Sequence, residues 1–224
     1  MSKLINQLFL FFGVLSGAAL VLPCMVEGAN AQEQMSENEV VNGLNTKTLR
    51  DLAESLKKDQ SSGRATFYSD TEWQTGMKSL TTISGYKIDG KMKKSQERKF
   101  ALQGDEMNEI SGTDTAPGAV EEMMYAVGTC IAAAANANAA MMGVKLSKIE
   151  VALESDIDIH GLMGLDPKVR PGILDFRTTI TIAGNADEAK LKEIAMKGYQ
   201  LSPVSDTVRN GVAHAVPPKI IITK

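Results

Sequence analysis

The chain has 224 residues, a hydrophobic fraction of 43% and a net charge of −3, which fits one domain with additions rather than a string of domains. So mild an acidity gives no basis for nucleic acid or an anionic membrane surface as partner. Aromatics make up 5% and Trp73 is the only tryptophan, too few for a base-stacking platform.

In chain order, residues 1–31 read as a signal peptide. Lys3 supplies a positive start, the run from Leu8 to Leu22 is apolar, and Ala29-Asn30-Ala31 forms a cleavage site before Gln32. The competing readings are an uncleaved membrane anchor and a lipoprotein through Cys24, the latter opposed by Pro23 directly before that cysteine. Cleavage leaves Cys130 as the one thiol, with no internal disulfide possible. The expected location is outside the cytoplasm, in the periplasm, with no stable membrane association once the signal is gone. Residues 32–62 read as a polar lead-in, loose as far as Asn45, and a short helix. Asn45 or Thr46 can cap that helix, and Leu49, Leu52, Ala53 and Leu56 recur at helical spacing.

A domain follows over 63–224. Arg64–Asp70, Ser79–Ser84 and Lys99–Leu102 alternate as strands, with turns at Gln74-Thr75-Gly76 and Asp89-Gly90. Residues 91–98 read as a charged, solvated connection. From Pro117 to about Met142 the chain is rich in Ala and Met and carries no charge after Glu122, which predicts a long helix apolar all round. At about 35–40 Å it is too long for one small subunit to cover comfortably, so a second subunit is expected to help. Lys145–Asp158 and Ile173–Ile182 read as strands, separated by a loop over 161–172 that contains Pro167 and Pro171. Ala186–Tyr199 and Ser202–Val208 are expected to be helices, the second stopped by Asn210-Gly211. Residues 212–222 read as a final, Pro-interrupted edge strand. Strands followed by helix–strand–strand–helix–strand predict an α+β domain.

Three patterns resemble one family. They are Gly112-Thr113-Asp114-x-x-Pro117, the nine-residue step from Glu121 to Cys130, and Ser202-Pro203-Val204-Ser205-Asp206-Thr207-Val208-Arg209. Together with Arg170-Pro171-Gly172 ahead of a strand, they are similar to the OsmC-like family, which includes osmotically inducible and organic hydroperoxide resistance proteins. The resemblance covers about residues 63–223. It implies antiparallel sheets wrapped around a long central helix in an intertwined homodimer, with a thiol at the dimer interface. In the peroxidase branches that thiol attacks a hydroperoxide and becomes a sulfenic acid. A second cysteine closes a disulfide, and a dithiol such as lipoamide reduces it.

Carried onto this chain, the resemblance makes Cys130 the reactive thiol. Such a thiol needs a cation to hold it as thiolate, because an apolar helix favours the neutral form. The family uses an arginine oriented by a glutamate. Here Glu121 is the match, with Glu122 as alternative, and the cation is Lys78, which follows the first hairpin turn, or Arg64. Ser202 stands where the resolving cysteine belongs, so the expected cycle uses one cysteine and an external thiol reductant, with no bound cofactor. The implied function is an antioxidant one, reduction of organic hydroperoxides. The alternative is a non-catalytic module that holds a hydrophobic small molecule at the dimer interface, with Cys130 merely packed among alanines. His160 and His214 lack metal-ligand spacing, and Asp156, Asp158 and His160 are expected to share a solvated strand face.

Overall fold

The computed structural model describes residues 40–94, 99–212 and 216–222. The expected signal segment, the first part of the lead-in and His214 lie outside them. The architecture is α+β with antiparallel sheets.

The lead-in is not loose where it is described. Val40–Val41 (β1) pairs with Leu44–Asn45 (β2) around Asn42-Gly43, both of which have positive φ, as a two-residue hairpin turn requires. This small hairpin is fastened to a distant part of the chain. Asn42 Nδ2 donates to Val144 O at 2.9 Å, Leu146 N donates to Asn42 Oδ1 at 2.9 Å, and Asn136 Nδ2 donates to Asn42 O at 3.3 Å. Asn45 then caps Thr46–Lys58 (α1) by accepting from Thr48 N.

Ala65–Thr75 (β3) and Lys78–Ile88 (β4) form a long hairpin closed at Gly76-Met77. The other edge of β4 carries two short strands in succession. Phe100–Gly104 (β6) pairs with Ser79–Ile83, and Lys91–Lys94 (β5) pairs with Tyr86–Ile88. The charged connection expected over 91–98 is therefore a strand in its first half. A two-residue turn at Asp89-Gly90, both with positive φ, returns the chain onto β4 and lets backbone pairing outweigh lysine's weak strand preference.

Ala119–Met141 (α2) is the long helix, entered through Gly118 rather than through Pro117. Its length of roughly 35 Å follows from 23 residues. Within the described subunit it buries one stripe, Val127, Ile131, Ala135 and Ala139, against Glu188–Leu201 (α4) and Pro203–Asn210 (α5). Gly198 of α4 permits that approach: a Cβ there would stand 2.9 Å from Ile131 O and 3.0 Å from Ala135 Cα. Leu146–Asp156 (β7) and Asp175–Gly184 (β8) form a two-stranded ribbon that packs its Leu146, Ile149 and Ile182 near the same core. Between them Ile159–Leu162 (α3) is a single helical turn that runs into the start of the stretch expected to be loop over 161–172.

Two further expectations change. Asp156, Asp158 and His160 do not share a strand face, because β7 ends at Asp156 and Asp158 turns to cap α3, accepting from His160 N at 2.8 Å. Val212 and residues 216–222 form no strand and stand exposed. Ile220, Ile221 and Ile222 favour extended backbone, but no described edge pairs with them, and a strand needs a partner for its N–H and C=O groups.

Candidate functional site

The loop from Gly104 to α2 is built around one buried carboxylate. Asp105 is 3% exposed. Its oxygens accept from Thr113 Oγ1 at 2.6 Å, Thr115 Oγ1 at 2.9 Å, Thr115 N at 3.1 Å and Thr113 N at 3.2 Å. These donors, the Thr113 hydroxyl foremost, hold the Asp105 carboxyl well below the usual carboxylate range. Gly112 completes the loop, since a Cβ there would fall 1.7 Å from Glu106 O. The motif Gly112-Thr113-Asp114 is thus a scaffold that delivers the chain into α2, and the residue that anchors it, Asp105, escaped the sequence reading. Its signal was a lone Asp ahead of a stretch with two threonines spaced to reach it.

At the start of α2 the two candidate glutamates divide. Glu121 reaches back to its own helix end, with Gly118 N donating to Glu121 Oε2 at 2.8 Å, the glutamate half of a capping box, which satisfies one of the free N–H groups at the helix start. Glu122 turns toward the base of the β4–β6 sheet, where its Oε1 lies 3.9 Å from the point a Cβ on Gly104 would occupy, beside Ser79 Oγ. Cys130 is two turns further along, about 12 Å from Glu122 at the helical rise. It is a free thiol, partly exposed. Gly128 faces β7, since a Cβ there would meet Leu153 Cδ1 at 3.3 Å. Two residues on, at 100° per residue, Cys130 is turned away from the ribbon and lies on a flank of the buried stripe.

The two candidate cations lie apart. Lys78 opens β4 beside the turn at Gly76-Met77, at the end of the hairpin near α2. Arg64 precedes β3 at the opposite end, where its backbone is latched to Asp89 by Arg64 N to Asp89 Oδ1 at 2.9 Å and Asp89 N to Arg64 O at 2.9 Å. Eleven residues of β3 separate the ends, roughly 35 Å of strand. The structure therefore does not bring Lys78 and Arg64 together. Among the described residues neither forms an ion pair with Glu121 or Glu122. Ser202 is fully buried and caps α5, its Oγ accepting from Ser205 N at 3.1 Å. In this place the hydroxyl has a structural task of its own.

Beside the first turn of α2 lies a cavity of about 800 Å³. Its walls are mainly apolar: Met77 from the hairpin turn, Met107 and Ile110 from the loop, and Ile157 and Met163 from either side of α3. The cavity does not include Cys130 among its lining residues.

Residues 112–216 match the family model described as OsmC-like protein. No curated protein sequence matches the chain. Among solved structures, the chain is similar to a Psychrobacter arcticus protein described in terms of osmotic stress and detoxification, at 12% identity and a TM-score of 0.47 over 64% of this chain and 88% of that one. It is also similar to an OsmC-like protein from Mycoplasma pneumoniae, at 13% identity and a TM-score of 0.45 over 66% and 89%. A third is an organic hydroperoxide resistance protein from Legionella pneumophila, at 13% identity and a TM-score of 0.42 over 65% and 90%. The matched residues 112–216 run from the glycine of the anchored loop, through Cys130, past the serine that caps α5, and over this stretch the chain is similar to OsmC-like proteins.

Proposed function

We propose that the protein is an exported thiol peroxidase that reduces organic hydroperoxides through Cys130. The observation that carries this reading is a free, partly exposed thiol midway along α2, at the position where the family motif has its reactive cysteine. In the proposed step the Cys130 thiolate attacks the hydroperoxide and the O–O bond breaks. One oxygen leaves as the alcohol, taking up a proton, and the sulfur keeps the other as sulfenic acid. With Ser202 at the resolving position, an external thiol condenses with the sulfenic acid to release water. A second thiol then frees Cys130 and leaves as the disulfide.

The same reading makes the active unit a homodimer. The β3 strand is exposed along its whole length, with Phe67 at 69% and Trp73 at 71%, and Tyr125 on α2 is also 71% exposed. Large apolar surfaces on the sheet and on the helix that bears the thiol are what a second copy would cover. The cation for Cys130 then comes from the partner's hairpin end that carries Lys78, or from the end that carries Arg64, with Glu121 or Glu122 as its orienting carboxylate.

The test is turnover of an organic hydroperoxide with a dithiol, followed by mass spectrometry. The wild type should consume peroxide and gain one oxygen at Cys130 when reductant is withheld, and Cys130→Ser should do neither. A wild type that shows no turnover with any thiol, and a Cys130 that stays unoxidised, would defeat the enzyme reading. What would survive is a binding module for a hydrophobic small molecule, which the apolar cavity favours.

A further inference from the structure

We infer that the cavity at the N-terminal end of α2 is a binding site for an organic cation with an apolar body. Its volume of about 800 Å³ lies within the range of small-molecule sites. Three methionines contribute to its walls, Met77, Met107 and Met163. Such flexible, polarisable side chains adapt to ligand shape and make favourable contacts with aromatic groups.

The charge around this apolar space has one sign. Glu106, Glu109, Asp114 and Glu121 all line it, and no Lys, Arg or His does. Two of the four are committed to the helix start: Ala119 N donates to Glu106 Oε1 at 3.4 Å, and Gly118 N donates to Glu121 Oε2 at 2.8 Å. The side chains of Glu109 and Asp114 make no hydrogen bond or ion pair with any described residue. Their charge has no counter-ion among the described residues. A ligand that carries a positive charge at one side of an apolar body supplies that counter-ion and fills the remaining wall. An anion of the same shape meets four carboxylates. A neutral ligand gains the apolar contact alone. Cys130 takes no part, and Glu121 is the one residue this site shares with the thiol chemistry proposed above.

The experiment uses two ions of the same shape and opposite charge, tetraphenylphosphonium and tetraphenylborate, titrated calorimetrically into the full chain. Tetraphenylphosphonium should bind at least roughly tenfold more tightly, the scale set by several unit charges a few ångströms from the ligand. One molar salt should shrink that ratio, because these carboxylates are near the surface. Glu109→Gln with Asp114→Asn should bring the ratio close to one while weak apolar binding persists. Leu162→Trp, which fills the cavity from α3, should weaken both ions. Cys130→Ser should leave the ratio unchanged, so a failed peroxidase assay does not touch the inference. Equal affinities, a preference for tetraphenylborate, or a ratio that the double variant does not move would overturn it. A full chain that sediments as a dimer and binds neither ion would also overturn it, and would mean that the second copy covers the cavity.

Discussion

Gly198→Ala separates two effects of known sign. Alanine is the better helix former, and in a helix interior the exchange gains about 0.5–1 kcal/mol. Against this, the new methyl would stand 2.6 Å from Ala135 Cβ, 2.9 Å from Ile131 O and 3.0 Å from Ala135 Cα. Nonbonded carbons prefer about 3.5–4.0 Å, so α4 must back away from α2 by roughly an ångström. Overpacking of this kind costs about 1–3 kcal/mol. The contacts are with backbone as well as a methyl group, so the cost falls in the upper part of that range, and the net loss is about 1–2 kcal/mol. For a chain of this size that lowers Tm by roughly 2–8 °C, measurable by thermal and urea unfolding of the full chain. Adding Ala135→Gly removes the methyl–methyl overlap and leaves the carbonyl of Ile131 in the way, so it should recover only part of the loss. A Gly198→Ala protein as stable as the wild type, or more so, would show that the helices are not held at this distance and that the account of the core is wrong.

Two further outcomes follow from other parts of the molecule. Asn42→Ala should cost roughly 2–4 kcal/mol, because it removes the side-chain bonds to Val144 and Leu146 and puts alanine at φ +53°; Asn42→Gly should lose about 1 kcal/mol less, and equal unfolding midpoints for the two would contradict the strain contribution. The depressed carboxyl of Asp105 is fully stabilising above its ordinary value of 3.8 and loses that effect as pH falls toward its folded value. Glu193, held down to about 2 by Lys197 and then Lys190, acts in the same direction, though salt screens it at the surface. Stability measured by urea unfolding should therefore decline from about pH 4 downward, and Asp105→Asn should be less stable at neutral pH with a shallower acid decline; a variant with the wild-type slope would remove Asp105 from the account.

The elements that the sequence predicted well are those with their cause nearby. The uncharged run after Glu122 marks α2, Asn45 caps α1, and Asp89-Gly90 and Asn210-Gly211 mark a turn and a helix end. The features it hid depend on distant partners. The hairpin at Asn42 has two-residue strands and is held by bonds to residues 102 and 104 positions away. β5 looks like a solvated lysine run until β4 supplies its ladder. The isoleucines near the C-terminus look like a strand, yet among the described residues propensity brings no partner to pair with them. The site shows the same division. Cys130 and its neighbouring glutamates can be found by spacing, but the different orientations of Glu121 and Glu122 cannot. Nor does spacing reveal that Lys78 and Arg64 occupy opposite ends of one hairpin, or that segments far apart in sequence enclose a single cavity.

The fastening of Asn42 beside Val144 also decides from which side the molecule can be handled. Val40, the first described residue, belongs to the hairpin fastened next to the last turn of α2, while the cavity opens by its first turn, about 35 Å away along the axis. A purification tag, a fluorophore or a sensor-chip linker joined at Val40 would be attached at the end of α2 remote from the acidic mouth. The same attachment near Met107 or Met163 would sit across the entrance.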